Sequence, residues 1–276
     1  MALSGRGLAR EVVGLGRSEE RLERARELGA LDSFTTQPRE ALRGADALIS
    51  CLPCRDIREK WRGLASLIQP GAFVTDVGSV KRSIVEEAES ALDESVLFVG
   101  SHPMAGSEKS GVGASREDLF DGACCFMTPT DRTPREALGL AAQFWQALGS
   151  RIVIMDPERH DALLASISHL PHLFAAALVQ TLYASGDSAA MLRSIMGKGF
   201  LDSTRIAEGE PRVWEQIFSE NSSALGRELE RLIEILQQWR EMISGSDSGD
   251  EIIERLTETS LQRKQLSGKT DAHDQS

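Results

Sequence analysis

Between residues 11 and 155 short apolar runs alternate with longer amphipathic stretches, and beyond Asp156 the short runs stop. That alternation constrains the fold more than any other feature. The runs at 47–51, 72–77, 96–99, 123–128 and 151–155 are too short for helices, and their near-continuous apolar character suits strands buried on both faces. The stretches 18–28, 57–68, 82–92 and 134–148 carry helical periodicity. Residues 11–14 and 34–36 read as further short strands, and 38–43 as a helical turn. Strand and helix in turn imply an α/β architecture with a doubly wound parallel sheet. Past Asp156-Pro-Glu, residues 158–184, 187–197, 211–219, 222–243 and 250–264 all read as helix. Two domains follow: 1–155, a dinucleotide-binding sheet domain, and 156–276, an all-helical domain for substrate and dimerisation, with a frayed tail.

Charge and cysteine usage narrow the partners. A net charge of -11 over 276 residues argues against nucleic acid and anionic membrane. It does not exclude a small anionic substrate, because one local arginine outweighs a distant field. Cys51-Leu-Pro-Cys54 has the spacing of a redox or zinc pair, but no second pair accompanies it. Cys51, Cys54, Cys124 and Cys125 therefore read as reduced packing thiols. No apolar run is expected to reach the ~18 residues of a membrane span. With no leader visible, the expected compartment is the cytoplasm.

Chemistry concentrates at strand ends, where parallel sheets bind ligands. Gly100 is expected to end the strand at 96–99, placing His102 in a loop beyond its carboxyl end. Pro103 keeps His102 extended, and histidine takes and returns a proton near neutral pH. A loop histidine with a satisfied hydrogen bond is the ordinary alternative. Ser79, after the strand at 72–77, either caps the helix at 82–92 or faces a cofactor and substrate. Gly14-Leu15-Gly16 mimics a dinucleotide fingerprint, but Glu19 falls where the third glycine belongs, and a carboxylate there would repel a pyrophosphate. The second strand of such a domain fits better, with Gly16-Arg17-Ser18 at the adenosine ribose. An arginine where NAD enzymes place an acid favours a 2′-phosphate, hence NADP; an exposed turn arginine is the alternative. Ser18 also suits the N-cap of the following helix. The loop of Leu52 and Pro53 would cover the cofactor.

In the helical domain, His160, His169 and His172 lie on one long helix. At ~100° per residue His169 and His172 share a face and His160 lies opposite His169, which makes a poor metal site. No metal is expected. Pro171 should kink that helix, leaving His172 to line a pocket or sit satisfied in the core. Residues 197–207 read as a loop carrying Arg205, a planar clamp for a carboxylate or else half of a surface pair with Asp202. Leu225, Leu229, Leu232, Ile233, Leu236, Trp239 and Ile243 make a long helical stripe suited to a bundle or a dimer interface.

Four motifs in order are specific. Asp-Val-Gly-Ser-Val-Lys at 76–81, Gly-Ser-His-Pro-Met-Ala-Gly-Ser-Glu-Lys-Ser-Gly-Val at 100–112, Ser-His-Leu-Pro-His at 168–172 and Gly-Phe-Leu-Asp-Ser-Thr-Arg-Ile-Ala at 199–207 resemble the prephenate/arogenate dehydrogenase family of tyrosine biosynthesis. The resemblance runs from about residue 1 to 264. It implies a Rossmann-like domain followed by a helical one, a homodimer, NAD(P)+ as cofactor and oxidative decarboxylation of a cyclohexadienol. By resemblance His102 is the base on the 4-hydroxyl and Ser79 helps place the nicotinamide. Arg205 clamps the ring carboxylate, His172 and Trp214 line the substrate pocket, and Ser107 and Glu108 lie close to it.

Two departures accompany the resemblance. Family members begin with a strand and Gly-x-Gly-x-x-Gly before the position of Met1, which this chain lacks, so an N-terminal truncation is expected, by a start-site error or a real deletion; a real deletion would bring poor folding and very weak cofactor binding. Leu201 stands where some relatives carry a base, which leaves prephenate and arogenate both open. A β-hydroxyacid or imine dehydrogenase, and a non-catalytic dimerising relic, are the competing readings.

Overall fold

The computed structural model describes residues 1–106, 111–245 and 248–268. The chain opens with α1 (Ala2–Gly5), a helix end closed where Gly7 turns left-handed. Next come β1 (Val13–Leu15), α2 (Glu19–Glu27), β2 (Ser33–Thr35) and α3 (Pro38–Ala41). The Ser18 hydroxyl caps α2, accepting from the Arg21 amide at 3.3 Å, as expected of that position. Then follow β3 (Ala47–Ser50), α4 (Cys54–Leu64), β4 (Phe73–Asp76), α5 (Arg82–Ala91), β5 (Leu97–Pro103), β6 (Cys124–Thr128), α6 (Arg135–Ala147) and β7 (Arg151–Ile154).

Two sheets result. β1 and β2 pair in parallel with each other, and β3 to β7 form a five-stranded sheet in sequence order. Side chains alternate across the larger sheet. Val74 and Phe98 pack with Ile57, Trp61, Ile84 and Val85 on one face; Phe73 and Val99 pack with Met127, Ala141 and Trp145 on the other. Each fully buried tryptophan removes roughly 200 Å² from water, worth about 5 kcal/mol at the usual coefficient.

The α/β class holds, with three corrections. First, the sheet is not wholly parallel: β6 runs antiparallel to β5. A parallel return needs a long crossover, and among the described residues of that connection only a 3₁₀ turn, Val112–Ala114, intervenes. Second, Gly100 does not end β5. The strand continues through Ser101 and His102 to Pro103, exchanging its parallel partner β4 for its antiparallel partner β6. Glycine serves close packing there, because a Cβ would meet Val85 Cγ2 at 2.6 Å and the Thr128 hydroxyl at 2.8 Å. Third, the run at 47–51 is an edge strand, with Ala47 exposed, because β1 pairs with β2 alone.

The remaining helices are α7 (Pro157–Leu164), α8 (Leu170–Tyr183), α9 (Ala189–Ile195), α10 (Lys198–Thr204), α11 (Pro211–Glu220), α12 (Ser222–Ser244) and α13 (Gly249–Leu266). A π-helical turn, Ala165–His169, joins α7 to α8. Residues 197–207 are not a loop: α10 and a 3₁₀ turn, Arg205–Glu208, occupy them, with the Thr204 hydroxyl donating to the Phe200 carbonyl at 2.8 Å. The expectation of no span-length apolar stretch is also corrected. Pro157–Tyr183 has a window of mean hydropathy 1.7, long and apolar enough to cross a membrane by length and composition. Its polar residues are spaced apart, so no single run betrays it, and three of them are buried histidines. The molecule divides into two compact units, Met1–Leu225 and Gly226–Ser276.

Candidate active site

The site begins with two adjacent strand ends. Asp76 closes β4 and is fully buried with Lys81, whose ammonium pairs with its carboxylate and donates to the Ser101 carbonyl at 2.7 Å. The other Asp76 oxygen accepts from the Ser101 amide at 3.2 Å, and the Gly78 amide donates to the Lys81-paired oxygen at 2.8 Å. A buried ion pair is tolerated only when such hydrogen bonds satisfy both ions. This one locks the end of β4 to the residue preceding His102.

His102 is buried, and its Nδ1 lies 2.9 Å from Nε2 of His160 on α7. His160 Nδ1 lies 2.8 Å from Asp161 Oδ1. The Asp161 carboxylate also accepts from the Lys81 amide at 2.8 Å and the Arg82 amide at 3.0 Å, so a side chain of α7 caps the start of α5. Ser79 makes no such cap, and its half-buried hydroxyl remains at the end of β4. Asn221 donates to the Asp161 carbonyl at 2.8 Å and lies 3.1 Å from His169 Nδ1.

Burial holds these imidazoles neutral. The His102 pKa falls well below the ordinary histidine value, first through loss of water and then through repulsion by His160, Lys81 and His169. His160 is lowered by burial, against the pull of Asp161, and His169 is lowered by burial to about 4. His172 is also lowered by burial, with the Ile206 backbone opposing. Neither of its ring nitrogens makes a hydrogen bond of normal geometry.

His172 stacks on Trp214 with ring centroids 3.6 Å apart. Gly209 permits the stack, since a Cβ there would lie 2.3 Å from Trp214 Nε1. α11, which carries Trp214, is tied to α4 by Gln216 accepting the Arg55 amide at 2.9 Å and by the Arg55–Glu215 pair at 2.7 Å. α4 begins immediately after Leu52 and Pro53, so the pocket helix and the expected cofactor loop are linked. Arg205 starts the 3₁₀ turn that contains Ile206, and that turn packs on α8, which carries His172.

The cofactor candidates gather at the carboxyl ends of β1, β3 and β4. Exposed Arg17 lies 4.0 Å from Asp56 of α4, exposed Leu52 precedes α4 in the chain, and Ser79 follows β4. A guanidinium, an exposed apolar side chain and a hydroxyl at three strand ends are groups that could hold a dinucleotide. Ser107 and Glu108 lie outside the described residues. No cluster with metal-ligand geometry occurs among the described residues. All four cysteines are free; Cys54 is buried, and burial pushes its thiol up, whereas Cys51 is exposed, which corrects its reading as a packing thiol.

The sequence reading named neither Asp76, Lys81 and Asp161 nor Asn221 as site residues, and it placed His160 away from His169. The π turn explains the last. Its residues advance about 80° each instead of 100°, so five of them withdraw roughly 90° and bring His169 round toward His160. Pro171, just beyond the turn, was the available signal.

A mostly parallel sheet whose strand ends meet a buried neutral imidazole, continued by helices, defines a nicotinamide-dependent dehydrogenase. Family models described as the nucleotide-binding domain and the dimerization domain of prephenate dehydrogenase match residues 1–154 and 156–258. The cyclohexadienyl dehydrogenase of Zymomonas mobilis is 35% identical over 260 residues, covering 94% of this chain and 87% of that protein. The prephenate dehydrogenase of Bacillus subtilis is 31% identical, covering 87% of this chain; the chain spans 65% of that protein's length. Among solved structures, Aquifex aeolicus prephenate dehydrogenase with hydroxyphenyl propionate and NAD+ superposes with a TM-score of 0.88 at 33% identity, covering 96% of this chain and 92% of that one. Synechocystis arogenate dehydrogenase gives 0.80 at 29%, covering 96% and 94%. The chain belongs to the prephenate dehydrogenase family. It is an NAD(P)-dependent oxidoreductase of the tyrosine pathway, acting on prephenate or arogenate.

Proposed function

We propose that His102 is the base of the oxidative decarboxylation. The observation that carries this reading is a buried imidazole kept uncharged at the end of β5, flanked by the ordered end of β4. His102 takes the proton of the substrate's 4-hydroxyl as a carbonyl forms at C4. The bound nicotinamide accepts the hydride leaving C4. The bond to the ring carboxylate then breaks, carbon dioxide departs, and its electrons complete the aromatic ring and leave the C4 oxygen as a phenolate, which takes back the proton held by His102. Arg205 pairs with that carboxylate before it leaves. His172 and Trp214 line the pocket beside it, and Ser79 orients the nicotinamide amide and the substrate hydroxyl.

Leu201 carries no charge that would tell a pyruvyl from an alanyl side chain, so turnover of both substrates is expected. Arg17, with Ser18 and the Leu52–Pro53 loop, holds the adenosine end. The guanidinium supports NADP+, whereas Asp56 at 4.0 Å supports NAD+ by repelling a 2′-phosphate. The two halves, 1–155 and 156–276, serve nucleotide and substrate, and the helical half makes the homodimer. Neither nucleic acid nor membrane is a partner, and the enzyme works in the cytoplasm.

The test is steady-state reduction of NAD+ and NADP+ with prephenate and with arogenate, for the wild type and His102→Asn. The wild type should turn over with an acid limb below the ordinary histidine range, and the variant should lose at least ~10³-fold in kcat. A variant whose acid limb survives with a merely scaled rate removes His102 from the role.

A further inference from the structure

We propose that His160 and Asp161 are positioning residues that fix the tautomer of His102, leaving Nε2 as the nitrogen that accepts the substrate's proton. This rests on His102 being the base. Backbone amides around the relay have fixed hydrogen-bonding roles. The Lys81 and Arg82 amides can only donate, and both donate to the Asp161 carboxylate, at 2.8 and 3.0 Å. A carboxylate in that setting is an acceptor, so His160 Nδ1, 2.8 Å from Oδ1, must carry a proton and donate it. A neutral His160 then has a lone pair on Nε2. His102 Nδ1, 2.9 Å away, therefore carries a proton and donates to it. Neutral His102 has only one proton, so its Nε2 is the basic nitrogen.

The surroundings enforce this arrangement. Phe126 of β6 packs edge-on against His160 at 5.2 Å and lies tilted against His102 at 6.4 Å. Among the described residues, the charges near His102 are the Lys81 ammonium, neutralised by Asp76, and the Asp161 carboxylate beyond His160; His169 adds an uncharged ring. When the substrate's hydroxyl proton reaches His102 Nε2, the imidazolium forms with its Nδ1–H already directed at His160, and Asp161 stabilises the charge through that ring. Once carbon dioxide has left, the proton returns to the phenolate oxygen of the product. If His160 instead takes a proton from solvent, its Nε2–H donates to His102 Nδ1, the His102 proton moves to Nε2, and the base is lost. The relay thus adds an acid-side shut-off beyond protonation of His102 itself.

The first test is nitrogen-15 NMR of the histidine rings in the cofactor-free wild-type protein at neutral pH. His102 should show a protonated Nδ1 and an unprotonated Nε2; the opposite tautomer overturns the proposal whatever the kinetics. The second test is His160→Leu, checked for folding by circular dichroism. Its His102 signals should lose the pinned tautomer. kcat should fall about 10²-fold while KM changes less than about threefold, as for second-layer partners of other reactive imidazoles. His160→Gln, which restores an acceptor for His102, should recover kcat to within about tenfold of wild type. Unchanged ring signals and kcat in a folded His160→Leu protein would also overturn the proposal. Should the predicted tautomer be found while His102→Asn stays active, the base assignment fails and the positioning relay stands.

Discussion

A histidine stripped of water stays neutral because its charged form is costly, and the protein bears that cost in its stability as pH falls. His169 has an ordinary unfolded pKa near 6.5 and a folded value of about 4. Below pH 6.5 the unfolded chain takes up a proton that the folded chain refuses, so stability present above that pH is lost as pH falls toward 4. The loss for this one residue is roughly 3 kcal/mol at about 1.4 kcal/mol per unit. Urea unfolding between pH 7 and 4.5 should show that decline, and His169→Gln should flatten it; an equal slope in the variant refutes the assignment. A second residue-scale prediction concerns Gly209, whose backbone alanine tolerates (φ -57°) while its added Cβ collides with the rigid Trp214 ring. Gly209→Ala should cost about 1–3 kcal/mol and raise KM for the substrate, because the Trp214 and His172 rings must part. His172 was legible from the motif at 168–172, and Trp214 only from the family resemblance. Asp161 was not: an acid beside a histidine on a helix has no spacing that announces a relay, and only the fold brings α7 against the start of α5.

At the scale of elements, the Asp76–Lys81 pair shows how a motif carries structure under its chemistry. The sequence reading recognised the run 76–81 and assigned only its serine a role. Yet the aspartate and lysine join β4 to β5 one residue before His102. Lys81→Met should leave a buried carboxylate unpaired and cost about 3–5 kcal/mol, with protonation of Asp76 on acidification recovering part of the loss. Chemical denaturation at two pH values measures both effects; a variant as stable as wild type would show that the pair does not anchor the strands. Element existence was legible from periodicity almost throughout. Element ends were not: β5 runs past a glycine because β6 offers it a second partner, and the glycine-bearing stretch at 197–207 coils into α10 where α8 gives it a surface to pack on. Neither partner is visible locally.

For the whole molecule, what composition could not place is the face that stays apolar after folding. On α12, Ile233 is 44%, Leu236 46% and Ile243 70% exposed in the single chain. Leucines and isoleucines that remain so exposed on a stripe at helical spacing are not a monomer's surface. A second copy presenting the same stripe around a two-fold axis would cover it, since an isologous contact needs only that the patch match itself. Burying three such side chains per copy stabilises association by roughly 5–9 kcal/mol before the entropy of assembly is subtracted. Charges on the stripe should therefore dissociate the pair without touching the sheet domain. Ile233→Glu with Leu236→Glu should sediment at the 30.1 kDa of one chain, the wild type at twice that. If the double variant keeps the larger mass, the copies meet through another face.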